Sequence, residues 1–132
     1  MLRRVGRVAG FTLANMVVMV VLHGNSRQWW PKIPYLSLRD ESVAEHCRLL
    51  FNTLAVVTLG QALLGRLPRE RVAPRAALLV ALPLALPALI ALGRHGLRLR
   101  PPALERYYLS LVPLLPLLGG AWEEIVAPNA ER

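Results

Sequence analysis

The chain has 132 residues, 55% of them apolar and 18% charged, and a formal net charge of +8. Ordinary soluble domains are about 25% charged, and this length holds one domain. The basic residues gather at the ends of apolar runs instead of forming a stripe interleaved with aromatics, so we predict no nucleic-acid partner. The single cysteine, Cys47, excludes an internal disulfide.

Four apolar segments predict an all-α integral membrane protein with one domain over residues 1–132. The third, residues 76–93, contains no charged or strongly polar side chain. As a helix it would be about 27 Å long, close to the roughly 30 Å hydrocarbon core of a bilayer. A soluble bundle is the alternative, but its helices would need a polar face, which this segment lacks. The four predicted spans are residues 5–22, 48–65, 76–93 and 107–122.

The first span has two specialised faces. Gly6, Gly10 and Ala14 fall on one side, and this small-residue ladder lets two membrane helices approach closely. Asn15 falls on the opposite side. Because an amide that faces lipid is unfavourable, we expect Asn15 to face protein.

The second helix is expected to begin at a capping box, where a serine is followed three residues later by an acid. Ser37 with Asp40 and Ser42 with Glu45 both have this spacing. The span that follows is the most polar of the four. Its polar side chains point in several directions, so we place this helix in the middle of the bundle.

Prolines interrupt the third and fourth spans, and each removes a backbone N–H at a cost of up to about 3 kcal/mol in a helix interior. We predict a kink in both helices. In the third helix, Asn52 or Gln61 of the second helix would contact the backbone groups that the kink leaves unpaired. The fourth segment could instead enter the membrane and return, but aromatic residues at both of its ends favour a crossing. The prolines are Pro83, Pro87, Pro113 and Pro116.

Four crossings would bring His23, His46 and His95 to the same side of the membrane. Imidazoles gathered at one interface can bind a metal, a haem or a pigment. The sequence has no HxxxH or ExxH pair. We therefore expect water, headgroups or a partner to satisfy these histidines, and we predict no cofactor and no metal. A small membrane enzyme or a haem- or pigment-binding protein is the alternative.

A basic loop precedes the third span, and two tryptophans follow the first. Arginines at a membrane surface attract anionic headgroups, and tryptophan usually occupies the headgroup layer. We predict that both features bind an anionic lipid such as cardiolipin. The predicted lipid-binding residues are Arg66, Arg69, Arg71, Arg75, Trp29 and Trp30.

The sequence contains no phosphate loop, nucleophile elbow, paired-carboxylate site or zinc helix motif. We place no charged side chain inside the core of any predicted span, which argues against a pump or carrier acting alone. We therefore expect no enzyme, but a non-catalytic accessory subunit of a larger energy-transducing complex, with other membrane subunits and lipid as partners. A homo-oligomeric channel or transporter is an alternative.

The first residues point to a compartment. The start of the chain is rich in arginine and has no acidic residue before Asp40, as in many mitochondrial import sequences. We therefore predict the mitochondrial inner membrane, with a respiratory-chain complex or ATP synthase as the host. A bacterial cytoplasmic or photosynthetic membrane is the alternative.

Overall fold

The computed structural model describes residues 1–23, 33, 35–37 and 42–128. Over these residues the structure is helical and contains no strand, which confirms the predicted all-α class. One turn of 3-10 helix, Arg69–Arg71, precedes the third long helix, and a π-helical turn, Leu92–Gly96, follows it. The four long helices are α1 (Leu2–His23), α2 (Val43–Leu63), α3 (Val72–Ala91) and α4 (Ala103–Val126).

Neighbouring helices run antiparallel and close into a ring. The end of α1 meets the start of α2, where the rings of His23 and His46 lie 6.0 Å apart. The start of α1 meets the end of α4 through Arg7 and Glu124. Each helix packs against two others, α2 against α1 and α3. α2 is therefore a member of the ring and does not lie at its centre, where we had predicted it.

Three helical segments are long and apolar enough to cross a membrane: Leu2–His23, Arg69–Gly96 and Ala103–Val126. They fit an integral membrane protein. All four helices contribute to one apolar core, while their outer faces carry exposed aliphatic side chains, such as Leu13 and Val17 of α1. Apolar side chains on both the inside and the outside are expected where lipid is the surrounding solvent.

The start of α2 is fixed by Ser42, whose Oγ accepts a hydrogen bond from the N–H of Glu45 at 3.2 Å. This bond satisfies one of the unpaired donors of the first turn. Of the two predicted starts, the structure therefore uses the second. Asp40, which belongs to the other, lies outside the described residues.

α3 and α4 each continue as one helix through their prolines, and the predicted kinks are not confirmed. α4 has 24 residues and contains no reversal of the kind that a re-entrant hairpin would need. The two polar side chains of α2 that were expected to contact a kink in α3 have other hydrogen-bond partners. Asn52 donates to the carbonyls of Tyr35 and Leu36, and Gln61 accepts from Arg75.

α1 and α3 both approach α4 closely at two adjacent glycines of α4. A Cβ added to Gly120 would lie 3.1 Å from Cδ1 of Phe11 in α1, and one added to Gly119 would lie 3.1 Å from Cδ1 of Leu82 in α3. A Cβ at Gly6 or Gly10 would meet no described atom within 4 Å. These two glycines of the predicted ladder therefore make no close helix contact within the described chain.

Candidate functional site

Five charged side chains converge where α1 begins and α4 ends. Glu124 accepts hydrogen bonds from Arg7 at 2.8 and 2.7 Å and from Arg71 at 2.6 Å. Glu123 binds Arg75 through both carboxylate oxygens. Arg75 is 3% exposed and Glu123 is 1% exposed. These ion pairs form a charged cluster, whose members are all buried except Arg7, which is half-buried.

Helix geometry explains how the chain assembles this cluster. Arg71 and Arg75 are four residues apart, so they project from the same side of the helical segment that begins α3. Glu123 and Glu124 are adjacent and point about 100° apart on α4. Glu123 binds Arg75, whereas Glu124 binds both Arg71 and Arg7 of α1. Because α3 and α4 are antiparallel, the arginines at the start of one face the glutamates at the end of the other.

Arg75 and Glu123 each have the unfavourable sign for the dipole of their own helix. Cations are favoured near helix C-termini and anions near N-termini. Arg75 lies in the first turn of α3 but contacts the C-terminal end of α4 through Glu123. Glu123 in turn lies near the N-terminus of α3. The antiparallel pairing therefore offsets the unfavourable placement of each charge on its own helix.

Arg75 contacts all three other helices. Its Nη1 donates to Oε1 of Gln61 at 2.6 Å and to Oγ1 of Thr58 at 3.3 Å, both on α2. Its guanidinium carbon lies 4.4 Å from the ring centroid of Phe11 on α1, in the geometry of a cation–π contact. With Glu123 on α4, one side chain therefore joins the four helices at this end of the bundle.

A groove of about 640 Å³ opens beside the cluster, mainly between α1 and α2. Its charged end is lined by four arginines and two glutamates, so arginine is in excess by two. Its apolar part is lined by glycine, alanine and valine, and also by Phe11, Leu64 and Leu67. The charged lining residues are Arg7, Arg66, Arg71, Arg75, Glu123 and Glu124. The small lining residues include Gly10, Ala14, Val18, Val57 and Gly60.

The groove brings together three of the four arginines predicted to bind lipid: Arg66, Arg71 and Arg75. Arg69 is exposed and does not line the groove. Arg71 and Arg75 are buried, so they are not the open surface charges that a basic loop implied. Lipid binding by these four residues stays a prediction. Trp29 and Trp30 lie outside the described residues.

Glu123 and Glu124 were missed as site residues, because the predicted fourth span ended at residue 122 and left them in a polar tail. The structure places both inside α4 and buries them. The sequence does contain a signal for this pairing. Two carboxylates follow the fourth apolar run, and two arginines directly precede the third. In an antiparallel helix pair, such opposite charges lie at the same end.

The histidines lie at the opposite end of the bundle. His23 and His46 contact each other edge to face, and Nδ1 of His46 is 2.8 Å from the carbonyl oxygen of Ser42. His95 is exposed in the π-helical turn. Among the described residues, no group of three histidine, cysteine or acidic side chains is placed to hold a metal. Cofactor binding by these histidines stays an untested alternative.

A second cavity, of about 210 Å³, lies between the helices near His46. Its walls are mostly apolar and include Leu50, Leu86 and Leu115. Tyr108 also lines it, and the hydroxyl of that tyrosine is buried without a hydrogen-bond partner among the described residues. The cavity is large enough for a small apolar molecule.

Two polar side chains are fully buried in the middle of the bundle. Asn15 is 0% exposed and its Nδ2 donates to the carbonyl of Phe11 at 2.8 Å, so the expectation that it faces protein is confirmed. Its Oδ1 and the Oγ1 of Thr53 have no hydrogen-bond partner among the described residues. A buried polar atom without a partner destabilises the folded state by about 1 to 3 kcal/mol.

Replacing Thr53 with valine is expected to raise the free energy of unfolding by about 1 kcal/mol, because it removes an unpaired hydroxyl and keeps the shape of the side chain. The same change at Thr58 on the same helix is the matched control. It is expected to lower stability by about 1 kcal/mol, because the Thr58 hydroxyl accepts from Arg75. Unfolding with increasing SDS in mixed micelles measures both. A loss of stability in Thr53→Val would show that its hydroxyl has a partner.

No protein-family model, no curated protein and no solved structure matches the chain.

Proposed function

We propose that the chain is a non-catalytic accessory subunit of a larger energy-transducing membrane complex, and that it holds an anionic lipid at its arginine-lined end. The observation that carries the proposal is the pairing within the charged cluster. Buried charges in membrane proteins either line a path for ions and protons or hold helices together. Here both carboxylates bind guanidinium groups directly, which favours the structural role.

Four crossings belong to this proposal. α2 has 21 residues and is about 31 Å long, enough for the hydrocarbon core. Its start meets the end of α1 at His46, and its end meets the start of α3 at Gln61. Because α2 lies along two helices that cross the membrane, we propose that α2 crosses the membrane as well. Its polar residues make it less apolar than these two neighbours. Bends at the prolines of α3 and α4 are also part of the proposal.

Lipid retention follows from the charge balance of the groove. Four arginines and two glutamates leave two positive charges in excess at its charged end. Guanidinium groups match the geometry of phosphate and can bind two of its oxygens at once. A basic site at a membrane surface is in constant contact with lipid headgroups, so an anionic lipid is the natural ligand.

The host membrane is proposed from the sequence. The arginine-rich, acid-free start favours a mitochondrial inner membrane, and hence a respiratory-chain complex or ATP synthase. The exposed aliphatic faces, such as that of Leu13 and Val17 on α1, give neighbouring subunits or lipid an apolar surface. A bacterial energy-transducing membrane remains the alternative.

Deleting the chain from its own membrane tests the proposed function. We expect the host complex to keep its chemistry per assembled copy, but to become smaller or less abundant on native gels. Re-expression of the wild-type chain is the control and is expected to restore both. A host complex of unchanged size and amount would contradict the proposal.

A further inference from the structure

We infer that the groove between α1 and α2 holds one anionic phospholipid, with its phosphate among the arginines and an acyl chain along the small-residue wall. The inference deepens the lipid binding of the proposed function and rests on it. The proposed function needs only an anionic headgroup at the bundle end. The groove adds where the acyl chain lies.

The depth of the groove fits one leaflet. Its lining runs along α1 from Arg7 to Val18, eleven residues further on. At about 1.5 Å per residue this distance is about 16 Å, half of the roughly 30 Å hydrocarbon core. With the arginines at the headgroup layer, the groove therefore ends near the middle of the bilayer. This is the depth that an acyl chain of one leaflet reaches.

The missing side chains of two glycines create the space. A Cβ at Gly10 on α1 or at Gly60 on α2 would meet no described atom within 4 Å. Ala14 and Val57 line the neighbouring wall and are also small. Apart from Gln61, the walls at this depth are apolar, so a hydrocarbon chain fits them better than water does.

The charged end selects the headgroup. Arg66 is exposed, lines the groove and is not one of the arginines that bind Glu123 and Glu124. Its guanidinium is therefore the first candidate to contact a phosphate. The excess of two positive charges favours an anionic phospholipid over a zwitterionic one, whose headgroup has no net charge.

Filling the groove tests the inference. Gly10→Leu and Gly60→Leu add side chains where the structure has open space, so both variants are expected to fold. Gly6→Leu is the matched control, because a Cβ there also meets no described atom within 4 Å but Gly6 does not line the groove. Each protein is placed in nanodiscs of phosphatidylcholine with a minor share of phosphatidylglycerol. Native mass spectrometry then counts the bound lipids.

We expect Gly10→Leu and Gly60→Leu to bind phosphatidylglycerol about tenfold more weakly than the wild type, which is the effect of losing contact with about two methylene groups. Gly6→Leu is expected to bind it as the wild type does. Glycerol phosphate, a headgroup without chains, is expected not to compete. Arg66→Gln is expected to lose the preference for phosphatidylglycerol over phosphatidylcholine.

The variants separate the groove from the proposed function. Wild-type binding by Gly10→Leu and Gly60→Leu, with a lost preference in Arg66→Gln, would overturn the acyl-chain site and leave lipid binding at the arginines. Competition by glycerol phosphate would overturn it in the same way. Unchanged binding in all three variants would overturn both the groove and the lipid binding of the proposed function.

Discussion

Replacing Glu123 with glutamine is expected to lower the free energy of unfolding by about 3 to 5 kcal/mol. Glu123 is buried and binds Arg75 through both oxygens. Without the carboxylate, the guanidinium of Arg75 remains charged and buried, because arginine does not lose its proton in proteins. Domains are typically stable by about 5 to 15 kcal/mol, so this single change removes a large share of the stability.

Two controls separate the ion pair from the loss of a charge in general. Glu70→Gln makes the same change at an exposed position and is expected to alter stability by less than about 0.5 kcal/mol. The double variant Arg75→Met with Glu123→Leu is expected to recover most of the loss, because it leaves no unpaired buried charge. Circular dichroism during SDS titration measures all of them. Equal stability of Glu123→Gln and the wild type would contradict a buried ion pair.

Leucine at Gly120 is expected to lower the free energy of unfolding by about 3 kcal/mol and to move α1 away from α4. The new Cβ would lie 3.1 Å from Cδ1 of Phe11 and 3.6 Å from the backbone Cα of Val8. Overpacking typically destabilises by about 1 to 3 kcal/mol. We expect the upper end of this range, because Phe11 is held beneath Arg75 and the Val8 backbone moves only with its helix.

Gly119→Leu and Gly6→Leu are the matched controls for this prediction. A Cβ at Gly119 would meet the methyl ends of Leu78 and Leu82, which can move aside, so a smaller loss is expected. At Gly6 no described atom lies within 4 Å, and no loss is expected. The same SDS titration orders the three variants. If Gly120→Leu were as stable as Gly6→Leu, the close contact of α1 with α4 would be wrong.

The helices could be predicted from the sequence because apolar runs of sufficient length are a local signal. Their ends could not. The predicted fourth span stopped at residue 122, because charged side chains usually mark the membrane surface, whereas α4 continues to Val126. The continuation depends on Glu123 and Glu124 finding arginines on other helices, and that pairing is set by tertiary structure. For the same reason, the charged cluster was not expected.

The glycines show a second limit of sequence reasoning. The spacing of Gly6 and Gly10 indicates that a helix could approach α1 closely, but spacing does not identify the partner. In the structure that face borders the groove at Gly10. The close contacts of α4 with α3 and α1 are made by Gly119 and Gly120, whose adjacent positions point about 100° apart.

We propose that this bundle works as part of a larger membrane assembly. Native electrophoresis of the tagged chain after mild detergent extraction, with mass spectrometry of the proteins that migrate with it, tests that claim most directly. We predict migration in a large complex together with energy-transducing subunits. Migration as a single chain or a small homo-oligomer would contradict the claim.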